Sequence, residues 1–275
     1  LPRDKAVIPV DDLAVLRGYA ACDIMRTFRG TPYFLDEHIQ RLMESSQIIG
    51  ITIPWQAADI KKIVNRVLKK NPDISEANIR IVITGGSSPD FFTPSTSPRL
   101  IVLVTDIPGL PEEWYTKGIK VITHYEERTN PEAKVTDYVP AAMALKKAKQ
   151  KGAVEAIYVS SDNLAMEATT SNLFAFFCNT LVTPAEGVLK GITRGAVLKL
   201  ADSMFEVAER PLPLDELLGA QEVFITGTNK GVVPVVQIDE TVVGDGTPGE
   251  NTRALIKELE ELANSFKKNS KAGSE

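Results

Sequence analysis

The sequence predicts an α+β fold divided into two domains. Strand-like apolar runs outnumber the long helical patterns, and turn residues punctuate the chain often. A doubly wound parallel sheet would instead need helices alternating with strands. At 275 residues, 43% hydrophobic and 24% charged, the chain has ordinary globular composition and room for one large domain or two medium ones. The Pro- and Gly-containing stretch around Pro108–Glu113 is the expected boundary. Residues 1–110 then form a smaller N-terminal α+β domain, 111–128 a linker and edge strand, and 129–275 a larger C-terminal α+β domain.

The elements follow from periodicity. Ile24 to Phe28 alternates and runs into a turn at Thr31-Pro32. From Phe34 to Ile49, Leu35, Ile39, Leu42 and Met43 recur at helical spacing, with Asp36 and Glu37 in the first turn, where the helix dipole favours carboxylates. Ala57 to Leu68 repeats the pattern through Ile60, Ile63, Val64 and Val67. Strand-like runs follow at Ile79–Thr84, Leu100–Thr105 and Ile119–Thr123, the first two separated by a Pro/Ser/Thr-rich loop over 86–98. In the second half, Asp137–Lys151 reads as a helix with Pro140 in its first turn. Short strands are expected at Val154–Val159, Asn172–Phe177 and Leu181–Thr183, and a helix at Thr193–Phe205. Glu222–Thr226 and Gly231–Ile238 read as strands, Asn251–Phe266 as a closing amphipathic helix, and the polar tail 264–275 as frayed.

Several function classes fall away. No apolar run approaches the ~18 to 20 residues of a membrane helix, and the stretch LPRDKAVIPVDDL has no signal-peptide pattern. A net charge of -5 argues against nucleic acid as the main partner. Cys22 and Cys178 lack disulfide or redox spacing, which points to a reducing cytoplasm. His38 and His124 lack ligand-spaced partners, so no metal site is expected.

Three stretches carry possible chemistry. NPEAKVTDY puts Lys134 ahead of a helix, LAMEATTSNLF puts Glu167 before a Thr/Ser-rich turn, and LKGITRGAVLKL puts a Gly, Ile192 and Thr193 at a helix entrance. Singly, each has a plainer reading. Lys134 could be a solvated lysine, Glu167 an exposed strand end, and Thr193 a helix cap.

Together, in this order, they resemble the class IV pyridoxal phosphate aminotransferases. That family includes branched-chain aminotransferases, D-amino acid aminotransferases and aminodeoxychorismate lyases. The resemblance runs from RGYAACDIMRTFRGTPYFLDEHIQRL through KVTDY, MEATTSNLF and GITRG to ITGTNKGVVPV. It implies the family's two-domain fold, with pyridoxal 5'-phosphate bound between the domains. Lys134 is then the Schiff-base lysine and the catalytic residue, and Glu167 the carboxylate at the pyridine nitrogen. Arg41, Ile192, Thr193, Gly227 and Thr228 hold the phosphate, and Tyr138 lies near the phenolic oxygen. These roles suit the chemistry. Helix-start amides favour a phosphate, an Arg adds charge-assisted bonds, and a carboxylate keeps the ring nitrogen protonated.

The implied activity is transfer of an amino group from a hydrophobic or branched-chain amino acid to a 2-oxo acid such as 2-oxoglutarate, by a cytoplasmic homodimer. A D-amino acid transaminase and an aminodeoxychorismate lyase are the alternatives within the family, and a non-catalytic carrier of the cofactor lies further off. The chain departs from the D-amino acid enzymes, which carry Arg-x-His in the loop after the third strand. Here that loop reads SSPDFFTP, with Asp90 and Phe92 at those places. Arg26, read as standing where the early family strand has an aromatic residue, is a candidate replacement anchor for the substrate carboxylate. Its plainer reading is a salt bridge to Asp23 or Glu37. The turn amides near Asn229 are the competing anchor.

Overall fold

The computed structural model describes residues 1–94 and 96–270. Two compact units emerge: Leu1–Asp106 together with Ala133–Tyr138, and Ile107–Glu132 together with the chain from Val139 onward.

The first unit begins with a short 3-10 turn at Arg3–Lys5 and helix α1 (Leu13–Arg17), capped by Asp12 accepting from the Ala14 amide at 2.8 Å. Strands β1 (Ala20–Phe28) and β2 (Thr31–Pro32) lead into helices α2 (Leu35–Ile48) and α3 (Ala57–Lys69). Strands β3 (Ala77–Thr84) and β4 (Leu100–Asp106) complete an antiparallel sheet of order β2-β1-β3-β4. Successive strand side chains face opposite sides, so Ile79, Ile81 and Ile83 bury one face of β3. They pack with Met25 of β1, Ile39 and Leu42 of α2, and Ile60 and Val64 of α3. The apolar spacing read from the sequence is the spacing that fills this core.

The segment 133–136 lies along the other edge of β1. Cys22 N–H donates to the Lys134 carbonyl and Thr136 N–H to the Ala20 carbonyl, both at 2.9 Å, around a bridge between Ala21 and Val135. Lys134 therefore groups with the first unit, although the sequence placed it in a domain running from 129. Backbone pairing outweighs chain proximity here.

The second unit contains helix α4 (Glu113–Thr116), strand β5 (Ile119–Tyr125), helix α5 (Val139–Gln150), and strands β6 (Glu155–Val159), β7 (Ala165–Ala168), β8 (Asn172–Phe177) and β9 (Thr180–Thr183). Helix α6 (Ile192–Ala201), strand β10 (Glu206–Glu209), helix α7 (Leu214–Leu218), strands β11 (Glu222–Gly227), β12 (Gly231–Ile238) and β13 (Thr241–Val242), and helix α8 (Glu250–Ser270) follow. The strands form one nine-stranded mixed sheet of order β10-β9-β8-β11-β12-β5-β6-β7, with β13 on β12. The expected edge strand in 111–128 is interior: β5 pairs with β12 on one side and β6 on the other. Its buried neighbours Val121 and Ile122 point to opposite faces, and two-sided burial suits a central strand.

Both faces of this sheet are covered. Phe174, Phe176 and Phe224 point toward Val197 of α6 and Leu255 of α8. Leu173, Ala175, Val223 and Ile225 fill the opposite face with Ile157 and Leu217. Helix α6 stops at Ala201, short of the expected Phe205, and α8 carries its backbone through the expected frayed stretch to Ser270. Residues 271–275 of that tail lie outside the described residues. Among the described residues, no helix is long and apolar enough to cross a membrane.

The Phe174 and Phe224 rings stack with centroids 4.8 Å apart and planes 8° from parallel, and both are fully buried. Phe224→Ala is expected to cost about 3 to 5 kcal/mol in urea unfolding, from lost transfer energy plus the cavity. A loss under about 1 kcal/mol would show that this face of the sheet tolerates a cavity there.

Candidate active site

In the first unit the site grows from β1. Asp23 turns toward α2, while Cys22, Ile24 and Arg26 share the opposite face. His38 and Arg41, one helical turn apart on α2, both reach Asp23. Arg41 donates from Nε to Oδ2 at 2.8 Å and from Nη2 to Oδ1 at 2.9 Å, a bidentate pair. The His38 Nδ1 lies 2.7 Å from Oδ1. Burial of Asp23 opposes its charge, but the Arg41 cation and the His38 bond outweigh it and hold the pKa at about 2, below its ordinary 3.8. Burial pushes the His38 pKa down, so the ring is neutral near pH 7 and donates its Nδ1–H to Asp23.

Lys134 is fixed by its main chain. Its N–H donates to Ser45 Oγ of α2 at 3.0 Å, and its carbonyl accepts from Cys22. The Nζ donates to Tyr138 Oη at 2.9 Å. Burial disfavours the ammonium, but the Tyr138 hydroxyl and the Cys22 thiol favour it more, and the pKa rises above its ordinary value. Burial in turn pushes the Cys22 thiol up.

Arg26 pairs with neither suggested carboxylate. Asp23 is engaged by His38 and Arg41, and Arg26 Nε donates to the Thr27 carbonyl at 3.3 Å. In the loop after β3, Asp90 accepts from Ser88 Oγ, the Phe92 and Thr93 amides, and Thr93 Oγ1. The Thr93 hydroxyl and these amides hold its carboxyl well below the usual range. The Arg17 guanidinium of α1 lies 4.4 Å from the Phe92 ring centroid.

In the second unit, Glu167 ends up 5% exposed on β7. Its Oε1 accepts from Arg128 Nη1 at 2.6 Å, and its Oε2 from the Leu189 amide at 3.0 Å and from Asn172 Nδ2 at 3.4 Å. Asn172 also donates to the Leu189 carbonyl at 2.6 Å. A Cβ on Gly191 would sit 2.0 Å from Asn172 Oδ1, so only glycine lets the entrance of α6 come this close. Asn172 thus ties Glu167 to the start of α6, where Ile192 and Thr193 lie. On the neighbouring strand it pairs with Thr226, just before Gly227 and Thr228.

The candidate residues thus fall into two sets. Arg26, Arg41, Lys134 and Tyr138 belong to the first unit, and Glu167, Ile192, Thr193, Gly227, Thr228 and Asn229 to the second. Sequence reasoning missed three supporting residues. Asp23 stood in the quoted CDIMRT stretch but was weighed only as a partner for Arg26. Asn172 stood in MEATTSNLF with no role. Arg128 carried no signal, because nothing in ERTNP marks an arginine that meets Glu167 across 39 residues.

The donors suit a phosphorylated ring. Helix α6 has Gly191 at its N-cap and no side-chain cap, so its first amides are oriented for an anion. The buried Thr226 Oγ1, beside the Gly227–Lys230 turn, has no hydrogen-bond partner among the described residues. The deep carboxylate of Glu167, in the same unit, is an acceptor suited to a protonated ring nitrogen.

Residues 20–238 match the sequence model of the family described as amino-transferase class IV. The chain belongs to the class IV aminotransferases. Within that family it is 32% identical over 265 residues to a putative branched-chain-amino-acid aminotransferase of Methanocaldococcus jannaschii, covering 94% of this chain and 91% of that one. It is 30% identical to the D-alanine aminotransferase of Bacillus licheniformis, over 94% of this chain and 93% of that one. Among solved structures, the Escherichia coli branched-chain amino acid aminotransferase superposes with a TM-score of 0.89 at 26% identity, covering 95% of this chain and 91% of that one. A second branched-chain amino acid aminotransferase, solved with pyridoxamine 5'-phosphate, gives 0.88 at 26% identity, over 96% and 91%. The α+β reading and the aminotransferase assignment both hold.

Loss of Asp23 should be felt in stability. Asp23→Asn leaves Arg41 without its buried partner and is expected to cost about 3 kcal/mol. Because the folded pKa of about 2 lies below 3.8, the stabilisation is complete above pH ~4 and fades as pH falls toward 2. The stability gap between wild type and variant, measured by urea unfolding, should therefore narrow below pH 4. A gap unchanged from pH 7 to 2 would mean that Asp23 is not held ionised.

Proposed function

We propose that this aminotransferase uses pyridoxal 5'-phosphate to pass the amino group of a hydrophobic, branched-chain-type amino acid to a 2-oxo acid such as 2-oxoglutarate. The observation that carries the reading is the placement of Lys134, locked by its main chain to β1 and α2 with its Nζ on the Tyr138 hydroxyl. When bound, the cofactor supplies an aldehyde carbon for amine attachment and a ring that accepts the electrons of the α-carbon. The branched-chain relative solved with the pyridoxamine form supports the same cofactor here.

The chain's own residues divide the remaining work. Lys134 would hold the cofactor, and its amine would take the α-proton and return it. Tyr138 aims the Nζ. Glu167, gripped by Arg128, Asn172 and the Leu189 amide, keeps the pyridine nitrogen protonated. The first amides of α6 at Ile192 and Thr193, the Thr193 hydroxyl, and the Gly227–Thr228 turn hold the phosphate. Arg41 adds its charge, with its guanidinium oriented by Asp23. The two free cysteines fit a reducing cytoplasm. We include a homodimer in the proposal, supported by the apolar rung Cys22–Val82–Ile101 on the outer face of the first sheet, where Ile101 is 38% exposed.

The substrate reading rests on the loop after β3. An ionised Asp90 at its centre repels a carboxylate, so this loop does not serve as the anchor of the D-amino acid enzymes. D-amino acids remain the second reading because of the likeness to the Bacillus licheniformis enzyme.

The purified chain is expected to be yellow, and borohydride should fix the cofactor to the peptide containing Lys134. Leucine, valine or isoleucine in the L form should then convert its spectrum to the amine form. Label on another lysine would overturn the Lys134 role. Conversion by D-alanine but not L-leucine would select the second reading, and pyruvate release without an oxo-acid acceptor would select the lyase.

Among the described residues the Arg26 side chain hydrogen-bonds to the Thr27 carbonyl, and it shares a face of β1 with Cys22, the residue that meets Lys134. Arg26→Leu is expected to raise KM for amino acids and oxo acids together by about tenfold or more, since a lost charged bond costs roughly 1.5 to 3 kcal/mol. Amines lacking a carboxylate should be spared. Equal losses for both would transfer the anchoring role to the amides near Asn229.

A further inference from the structure

Glu155 opens β6 and is 2% exposed, a place where glutamate occurs only when its charge is matched. Two distant segments match it. The hydroxyls of Thr169, Thr170 and Ser171 donate at 3.0, 3.0 and 2.8 Å, and the Thr170 amide at 2.8 Å. The ammonium of Lys230 completes the shell in a direct ion pair. Lys230 Nζ also donates to Thr170 Oγ1 at 2.6 Å and Ser171 Oγ at 2.9 Å.

The cluster sits beside a part of the proposed phosphate site. Thr226 pairs with Asn172, so the turn before β8 and the turn after β11 leave the same end of the sheet. They touch: a Cβ on Gly227 would lie 3.5 Å from the Thr170 carbonyl and 3.6 Å from Ser171 Oγ. The Gly227–Lys230 turn is closed by the Lys230 amide donating to the Gly227 carbonyl at 3.1 Å. Glycines flank it, and Gly231 takes a left-handed φ of 65°. Glycine leaves a turn many conformations, so something outside the turn must select one. Lys230 reaches back across it to a buried carboxylate that the sheet itself holds. Tyr115 Oη, donating to the Lys230 carbonyl at 2.9 Å, fixes the other side.

We propose that the Glu155–Lys230 ion pair is a positioning latch that sets the conformation of the Gly227–Lys230 turn and thereby the affinity for the cofactor's phosphate. The inference rests on the reading that Gly227 and Thr228 contact that phosphate. Lys230 is a positioning residue: its ammonium is spent on Glu155 and the two hydroxyls, and it acts through the amides of its own turn.

The test compares uptake of pyridoxal 5'-phosphate and of pyridoxal, which lacks the phosphate, by the full chain, followed by absorbance. Lys230→Met should weaken uptake of the phosphorylated form about tenfold and change that of pyridoxal less than about twofold. Lys230→Arg should restore most of the difference. Because Lys230→Met leaves Glu155 short of a cation and can destabilise the fold, Glu155→Gln/Lys230→Met is the second variant. Removing both charges recovers thermal stability but not the link to the turn, so the phosphate-specific loss should persist. The latch is overturned if the double variant binds both compounds as wild type does, or if it loses affinity for both equally. A wild-type chain that takes up neither compound would sink the functional reading itself, and the latch with it.

Discussion

A carboxylate removed from water must be met by donors, and the layout of the site follows from that constraint. Asp23, Glu155 and Glu167 are 0%, 2% and 5% exposed. Each one recruits partners that are far away in the chain. Asp23 binds strand β1 to helix α2 through Arg41 and His38. Glu167 collects Arg128, Asn172 and the amide ahead of α6. Glu155 collects two turns. Apolar contacts are non-directional and tolerate small shifts. A buried carboxylate accepts only geometries that satisfy its oxygens, so it fixes positions that a hydrophobic core would leave loose.

The backbone supplies the second kind of precision. Lys134 sits on a stretch that pairs with β1 and donates to α2, although the sequence around it looks like a loop before a helix. An amine on a paired segment is held more closely than one on a free loop. The Tyr138 hydroxyl then needs only to choose among rotamers of one side chain.

Much of this was legible in the sequence where local pattern decides the outcome. Helices α2 and α3 and strands β3, β4, β8 and β12 follow apolar periodicity closely, because each shows one face or both to a core. Strands β7 and β10 and helices α1 and α7 were missed, being four or five residues long, too short for a period to register. The interior position of β5 depends on pairing with β12, more than a hundred residues away, which no local window records. At the site, the residues that touch a ligand in the family stand in recognisable strings. Those that hold them, Arg128, Asn172 and Asp23, are ordinary residues made important only by three-dimensional neighbours. Arg26 shows the limit from the other side. The sequence offered it two carboxylates, and the fold gives Asp23 to Arg41 and His38.

The pairing of 134–136 with β1 also has a consequence in time. A chain leaves the ribosome N-terminus first, and domains tend to fold as they emerge. The first unit cannot finish on that schedule. After β4 has appeared, the edge of β1 at Ala20 and Cys22 still waits for partners that the intervening residues delay by a few seconds at ordinary synthesis rates. During that interval the nascent chain carries an open strand edge, the kind of surface that invites wrong partners. The stretch that closes it brings in Lys134, the lysine proposed to carry the cofactor, so completion of this unit and arrival of that amine are a single event.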